Sequence, residues 1–272
     1  MTATVSRSGP ELEWGDLFRA ALEAEARKFR RAPVPRTTAA MLVGGIAIMC
    51  LVMLLAAEHG DPQAAAKLGA GFSVGGWTAL LSAAAQITAV GGLIGFGIVL
   101  AWSFGREFND GTISGLFALP VTRGQQAGAK FAVFWFWSLA VSAGLVIALL
   151  GCGLALGLGV PDAAMVTLLG RQFAVSVLTA ALALAAGFAA SVGRGLLPGI
   201  ATVIGLVVLA QVAAIAGAAG WFPFAAVGLW ATTTGPDLFA VVSPFQLCLV
   251  VPVAVMLVWL TVRRWNRLQL DG

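Results

Sequence analysis

The residue types that could carry chemistry are scarce in this chain, and most of them lie in one polar stretch. That stretch, GREFNDGTISGLFALPVTRGQQAGAK (105–130), separates two strongly apolar runs. Its last segment, GQQAGAK (124–130), comes closest to a phosphate-binding loop, but it lacks the GxxxxGK[ST] spacing that a phosphate cradle requires. The sequence therefore does not predict nucleotide binding by this chain.

The remaining candidates do not form a catalytic or metal-binding set. The single histidine, His59, lies in a short acidic segment between apolar runs, where we expect it to be solvated. No HExxH, nucleophile-elbow or paired-carboxylate motif occurs. The three cysteines lie within apolar runs, where a thiol behaves as a small hydrophobe: Cys50, Cys152 and Cys248. The sequence predicts no catalytic residue, no disulfide and no metal site.

Composition indicates the environment of these residues. Of 272 residues, 60% are hydrophobic and 10% are charged, and the mean hydropathy of +0.95 lies beyond that of ordinary soluble domains. The apolar residues form long blocks and not the alternating pattern of barrel strands. These features predict an all-α polytopic membrane protein. The first residues lack the order of a cleavable signal, so we expect the first span to act as an uncleaved insertion signal.

Six apolar blocks are long enough to cross the hydrocarbon core, which takes about 20 residues. They cover about 38–57, 76–104, 130–158, 172–193, 197–218 and 243–262. We expect three regions: a cytoplasmic N-terminal arm (1–37), a six-helix transmembrane domain (38–263) and a cytoplasmic tail (264–272). The segment 219–242 is apolar but interrupted by prolines, so we expect short helices that dip into the outer leaflet.

Positive charge predicts the orientation of the spans. Lys and Arg concentrate in the N-terminal arm, in the loops after the second and fourth spans, and at the C-terminus. The alternate loops carry mainly acidic residues, with Lys67 and Arg171 as the exceptions. Because positively charged short loops are retained in the cytoplasm, we expect both termini and the polar stretch to face the cytoplasm, in the inner (cytoplasmic) membrane of the cell.

The N-terminal arm contains a predicted amphipathic helix from about Leu12 to Arg31. Its larger apolar residues fall near one face: Trp14, Phe18, Leu22 and Phe29. Such a helix would lie in the membrane interface, and the PVP sequence at 33–35 would end it before the first span. The alternative is a helix that serves only as an anchor with a basic, lipid-attracting end.

The polar stretch predicts a short amphipathic helix between the second and third spans. Asn109 or Asp110 can cap its N-terminus, and Pro120 ends it. Apolar residues follow the cap at helical spacing: Ile113, Leu116 and Phe117. Thr122, with Gln125 three residues later, has the form of a capping box that opens the next helix. The alternative is a loop that lies flat on the bilayer with its phenylalanines inserted.

The order and spacing of this stretch resemble the signature of ABC type 2 (ABC-2) transporter permeases. In that family a glutamate, a Gly-Thr pair, a Pro-x-x-Arg turn and a later lysine follow the second span. The matching residues are Glu107, Gly111, Thr112, Pro120, Arg123 and Lys130. The segment 25–31, with Glu25 and Lys28, is similar to the family's amphipathic N-terminal helix. The resemblance covers essentially the whole chain and is to the small six-span exporters of drugs, antibiotics or peptides.

The resemblance implies a non-catalytic permease subunit. It would pair with a second copy or a homologous permease and with two cytoplasmic ABC ATPase subunits, which would bind ATP and Mg while this chain carries no cofactor. The short helix between the second and third spans, here called the coupling helix, would dock on the ATPase. The docking residues would be Glu107, Phe108, Asn109, Asp110, Thr112, Ile113, Leu116, Phe117, Pro120 and Arg123. For Glu107 and Lys130, two roles stay open: a pair or cap at the helix ends, or a strut that holds the loop against the inner leaflet.

In such a dimer the first, second and fifth spans line the pathway. Polar residues on those spans are few: Gln86, Thr88, Thr202 and Gln211. That wall suits an apolar or amphipathic substrate, such as a drug, antibiotic, lipid-like molecule or small peptide. We expect the lipid bilayer as a further partner and no nucleic acid. The alternatives are a polysaccharide or lipid-glycan exporter of the same family, and a membrane scaffold or sensor without transport.

The orientation can be tested by labelling. In a cysteine-free chain, Lys67→Cys and Asp237→Cys are expected to react with a membrane-impermeant maleimide on intact cells. Gln125→Cys and Arg267→Cys should react only after permeabilisation, because their segments are held inside by positive charge. The reverse labelling pattern would contradict the predicted orientation.

Overall fold

The described part of the chain is all helical, which confirms the predicted fold class. The computed structural model describes residues 14–60, 63, 75–113, 115, 120–233 and 238–268, and these contain no strand. The helices are α1 (Trp14–Arg31), α2 (Pro33–Ala57), α3 (Gly76–Asn109), α4 (Arg123–Ala155), α5 (Ala163–Val192), α6 (Leu196–Ile215), α7 (Pro223–Ala231) and α8 (Pro244–Asn266). Six of them, all except α1 and α7, are long and apolar enough to cross a membrane.

Two local signals in the sequence act as predicted. Ala32 adopts an extended conformation between α1 and α2, and Pro33 opens α2 at a position that suits proline because no N–H is needed there. Thr122 and Gln125 form the complete capping box at the start of α4, with the Gln125 backbone N–H donating to Thr122 Oγ1 over 3.2 Å. Both helix starts therefore follow from their local sequence.

Helix α1, for which a position in the membrane interface was predicted, packs against the bundle. It turns Ala21, Glu25 and Phe29 inward and runs along α4. The Phe29 ring meets Trp102 of α3 and Trp137 of α4 edge to face, with centroid distances of 5.9 and 5.7 Å. Aromatic pairs of this geometry add to the stabilisation that burial provides. Helix α1 is thus part of the folded bundle.

Helices α3 and α4 continue beyond the predicted apolar blocks on the side of the polar stretch. Helix α3 runs past its apolar block (76–104) to Asn109, and α4 begins at Arg123, before its apolar block (130–158) and where the capping box predicts a helix start. Asp110 ends α3 and is followed by Gly111 with a φ of 66°. Asp110 is therefore the C-cap residue of α3, and most of the helix that Asn109 or Asp110 was predicted to cap lies outside the described residues. A hydropathy profile does not include these ends of α3 and α4, because partners from other helices stabilise the polar side chains there.

The two most buried spans are α3 and α5. In their most apolar segments 61% and 67% of residues are buried, against 28% for α2, 28% for α8 and 11% for α6. Helix α6 therefore presents most of its surface outward. Helices α2 and α3 each contain one π-helical turn with a Gly-Gly pair, at Met41–Gly45 and Thr88–Gly92, and the two turns lie against each other.

The segment 219–242 forms short helical pieces, as expected, although residues 234–237 lie outside the described part. A 3₁₀ turn at Ala219–Trp221 precedes α7, which packs against α5 and α6. The Arg171 guanidinium donates to the carbonyl of Thr233. Arg171 was expected near the outer start of the fourth span. Instead it lies two turns inside α5 and is 2% exposed. The helix can continue past Arg171 because the buried guanidinium has the Thr233 carbonyl as an acceptor.

Close packing at one glycine gives a stability prediction. A Cβ at Gly105 of α3 would lie 2.6 Å from the backbone nitrogen of Leu196, whereas a Cβ at Gly151 of α4 would meet nothing within 4 Å. Gly105→Ala is expected to lower the free energy of unfolding by about 1–3 kcal/mol because the backbone must shift.

Gly151→Ala should raise the free energy of unfolding, by up to about 1 kcal/mol, since Ala is the better helix former. Unfolding of both variants in detergent, followed by circular dichroism, measures the difference. Equal stability of the two variants would contradict the close approach of α3 and α6.

Candidate functional site

Five charged side chains meet at the end of the bundle where the polar stretch leaves the spans. Together they form the charge cluster: Glu25 and Lys28 of α1, Arg106 and Glu107 of α3, and Lys130 of α4. Lys28 is the most accessible member, with 43% of its side chain exposed, while that of Lys130 is fully buried. The cluster therefore joins three helices through charges that are largely withdrawn from water.

Lys130 lies at the centre of the charge cluster. Its ammonium donates to Glu107 Oε1 at 2.7 Å, to Glu25 Oε2 at 3.0 Å and to the carbonyl of Ser103 at 3.1 Å. These three acceptors match the three N–H donors of a lysine. The Trp265 ring of α8 lies 5.8 Å from Lys130 Nζ, within the range of a cation–π contact. The buried ammonium is thus fully satisfied.

Glu25 connects the remaining cations. Its Oε2 accepts from Arg106 Nη2 at 3.1 Å and its Oε1 from Lys28 Nζ at 2.8 Å. Burial acts to raise the pKa of the Glu25 carboxyl, but the adjacent Lys130, Lys28 and Arg106 outweigh it and lower the pKa from 4.5 to about 2. Glu25 is therefore ionised at any physiological pH.

The local sequence explains why these side chains converge. Glu25 and Lys28 lie three residues apart on α1, the spacing at which helical side chains meet. Arg106 and Glu107 lie in the last turns of α3, where a cation is favoured by the helix dipole. Glu107, near the end of α3, and Lys130, two turns inside α4, form an ion pair. All five residues stand on helices, so the cluster has a fixed geometry.

The C-terminal end of α8 covers the charge cluster. Trp265 is fully buried, its indole N–H donates to Ser191 Oγ at 2.9 Å, and its ring meets that of Phe108 at 6.4 Å. Arg123 donates to the carbonyl of Leu268. Sequence reasoning did not assign Trp265 to the site, because a tryptophan beside arginines at a span end is typical of an interfacial anchor.

The residues predicted to dock on an ATPase divide into two groups. Four of them are exposed: Asn109, Asp110, Thr112 and Pro120. Phe108 is half-buried against Trp265, and Ile113 is 9% exposed within the core of the chain itself. These two side chains therefore pack on the permease and not outward as expected. Leu116 and Phe117 lie outside the described residues.

The aromatic residues at the start of α1 border the same region. Trp14 is 69% exposed and stacks on Phe18, with their ring centroids 5.7 Å apart. The Gln125 side-chain amide donates to the carbonyl of Trp14 at 3.2 Å, and Leu22 is half-buried in the core. The first turn of α4, which follows the predicted coupling helix, is thereby linked to α1.

Two of the four predicted pathway residues share a cavity near the middle of α3. Gln86 and Gln211 line a cavity of about 270 Å³ together with apolar side chains of α3, α6 and α7. Thr88 is buried elsewhere and accepts from Gln172 Nε2 at 2.9 Å. Thr202 donates to the carbonyl of Pro198, one turn earlier in its own helix. Within the described residues, no group of three or more His, Cys, Asp or Glu could hold a metal ion.

The fold and the site together define a polytopic membrane protein with a charged junction at one end of α3 and a mostly apolar cavity near the middle of that helix. A family model described as ABC-2 family transporter protein matches residues 21–211. The chain therefore belongs to the ABC-2 family and is an ABC permease, a class whose members are typically non-catalytic membrane subunits. No curated protein matches the chain significantly. The family match confirms the resemblance seen in the polar stretch.

The charge cluster predicts a large stability effect at one glutamate. Glu25→Ala is expected to lower the free energy of unfolding by about 3 kcal/mol, because three cations would be left with one buried carboxylate. The matched control is Glu23→Ala on the exposed face of α1, where Glu23 pairs with Arg19 and Arg27 and is 56% exposed. The control should change stability by about 0.5 kcal/mol or less. Equal losses, measured by denaturation in detergent, would contradict the cluster.

The lowered pKa of Glu25 predicts a pH dependence. Since the folded-state pKa is about 2 and the ordinary value is 4.5, the stabilisation is fully present above about pH 5 and is lost as the pH falls through about 2. The difference in free energy of unfolding between wild type and Glu25→Gln should therefore be constant from neutral pH to about pH 5 and shrink at lower pH. A difference that grows as the pH falls would contradict a lowered pKa of Glu25 in the folded protein.

Proposed function

We propose that the chain is the membrane-spanning subunit of an ATP-driven exporter in the inner membrane, with both termini in the cytoplasm. Two permeases, identical or homologous, would combine with two separate ABC ATPase subunits that bind ATP and Mg. The family match supports the permease role. The observation that carries the proposal is the charge cluster, which joins α1, α3 and α4 where the polar stretch leaves the bundle.

The cluster supports a coupling role because of where it lies. Asn109, Asp110 and Thr112 are exposed at the end of α3, and Pro120 is exposed shortly before α4 begins. A force on this exposed surface would act on the ends of both helices. Because Glu107 of α3 and Lys130 of α4 are held 2.7 Å apart, the two helices would move as one body.

The N-terminal helix would move with them. Glu25 of α1 binds both Lys130 and Arg106, at 3.0 and 3.1 Å. Separating α1 from the spans would leave buried charges without partners, which is strongly unfavourable. An ATPase that pushes on the polar stretch would thus displace α1, α3 and α4 together.

The pathway would lie on the side of α6. That helix is the least buried of the spans, and it carries the exposed amide of Gln211 beside the cavity that Gln86 also lines. A polar side chain on an outward membrane face is costly in lipid, so contact with a second permease or a transported molecule suits it better. The mostly apolar cavity wall favours an apolar or amphipathic substrate, such as a drug, antibiotic, lipid-like molecule or small peptide.

The docking step can be tested with charge substitutions. Leu116→Asp and Phe117→Asp are expected to weaken binding of the ABC ATPase that co-purifies with the wild type about thirtyfold, as the loss of a hydrophobic anchor typically does. Transport should be lost, and ATP hydrolysis should be found in the complex but not in the purified permease alone.

The matched control is Val160→Asp, in the loop between α4 and α5 at the opposite end of the bundle, where the valine side chain is 88% exposed. It should leave ATPase binding unchanged. Normal ATPase binding and transport in the Leu116→Asp and Phe117→Asp variants would favour a loop that only lies on the membrane surface. A permease that purifies without any ATPase would favour a scaffold or sensor.

A further inference from the structure

A groove on the outer surface of the bundle has the shape and chemistry of a lipid site. It lies between α4, α5 and α8, has a volume of about 450 Å³ and is lined by apolar and aromatic side chains. Trp135 of α4 and Trp259 of α8 contribute its rings, and Val255 and Val262 its aliphatic walls. An acyl chain fits such a groove, since the lining offers no polar partner to a more hydrophilic molecule.

The groove leads into a basic surface at the C-terminal end of α8. A depression of about 320 Å³ shares Trp259 and Val262 with the groove and adds Arg263, Asn266 and Arg267. The Arg263 guanidinium lies 5.0 Å from the centre of the Trp259 ring. The apolar groove and the basic depression therefore form one continuous feature, here called the groove site.

The arginines of this region have no acidic partner among the described residues. Neither Arg263 nor Arg267 forms an ion pair with a described residue, and no carboxylate occurs among the described residues that line the groove site. A neighbouring cavity of about 410 Å³ brings in Arg264 together with Arg263 and Arg267. The Arg264 Nε is buried and has no hydrogen-bond partner among the described residues. Three cations at a span end, without counter-charges among the described residues, favour an anionic ligand from the adjacent leaflet.

We propose that the groove site binds an anionic phospholipid of the leaflet next to the C-terminus. The phosphate and the charged headgroup lie at Arg263 and Arg267, and one acyl chain lies along Trp259 and Val255. Basic pockets between membrane helices, with an apolar surface below them, are the setting in which anionic headgroups bind. Burial of the chain contributes affinity, and the arginines select the headgroup charge.

Occupancy of the groove site would reach the charge cluster through α8. Arg263, Arg264 and Arg267 lie within one turn of Trp265, which covers Lys130 and is hydrogen-bonded to Ser191. A lipid held by the arginines therefore fixes the helix end that closes the cluster. This inference does not depend on the proposed transport function.

The test is native mass spectrometry of the purified full-length chain in detergent, titrated with phosphatidylglycerol or phosphatidylcholine. The wild type should bind phosphatidylglycerol in preference to phosphatidylcholine. In Arg263→Gln/Arg267→Gln that preference should fall about tenfold or more, since each arginine near a lipid surface contributes appreciably to the attraction of anionic headgroups. Arg263→Lys/Arg267→Lys should keep most of the preference, because it keeps the charge.

The control is Arg30→Gln/Arg31→Gln on α1, which removes the same charge from exposed positions and should leave the preference unchanged. An equal fall in the control would show only general surface attraction and would overturn the site. Displacement of phosphatidylglycerol by millimolar inorganic phosphate would point to a free-anion site and would also overturn it. Circular dichroism of each variant identifies any that fail to fold. If Arg263→Gln/Arg267→Gln fails to fold, the Arg263→Lys/Arg267→Lys variant provides the test: loss of its preference for phosphatidylglycerol would contradict the site.

Discussion

The buried ammonium of Lys130 is the constraint on which the rest of this structure depends. A charge withdrawn from water is tolerated only when partners surround it, and here the partners come from α1, α3 and the backbone of α3 itself. None of these helices can shift alone without exposing an unpaired charge. The charge cluster therefore resists gradual deformation. The three helices are expected to move together as whole helices.

Local patterns in the sequence predicted much of the fold but little of the geometry of the site. The six spans, the break at Ala32 and the capping box at Thr122 each depend on neighbouring residues, so they could be predicted. The cluster could not, because Glu25 and Lys130 are 105 positions apart. The same limit explains why the apolar block of α3 ends before Asn109 and why Arg171 is buried, since distant partners stabilise polar residues that a hydropathy profile counts as breaks.

Helix α3 carries both features on which the proposed function rests. Gln86 lines the cavity near the middle of the helix together with Ala89 and Val90 of the π-helical turn at Thr88–Gly92, and Glu107 belongs to the charge cluster at the end of the helix. A π turn holds one residue more than an α turn and is common at functional positions in helices. The region matched by the family model contains all of α3, whereas Trp265, which closes the cluster, lies beyond residue 211.

The wide separation of Glu25 from Lys130 also sets an order of assembly during synthesis. Helix α1 leaves the ribosome first, but the lysine that its glutamate binds follows 105 residues later. The N-terminal helix thus cannot reach its final place until the first two spans are inserted and the third has begun. Trp265, which covers the lysine, is added later still. A nascent chain stalled before Lys130 would keep α1 accessible to chaperones or proteases, so that docking of this helix marks a membrane domain whose first half is complete.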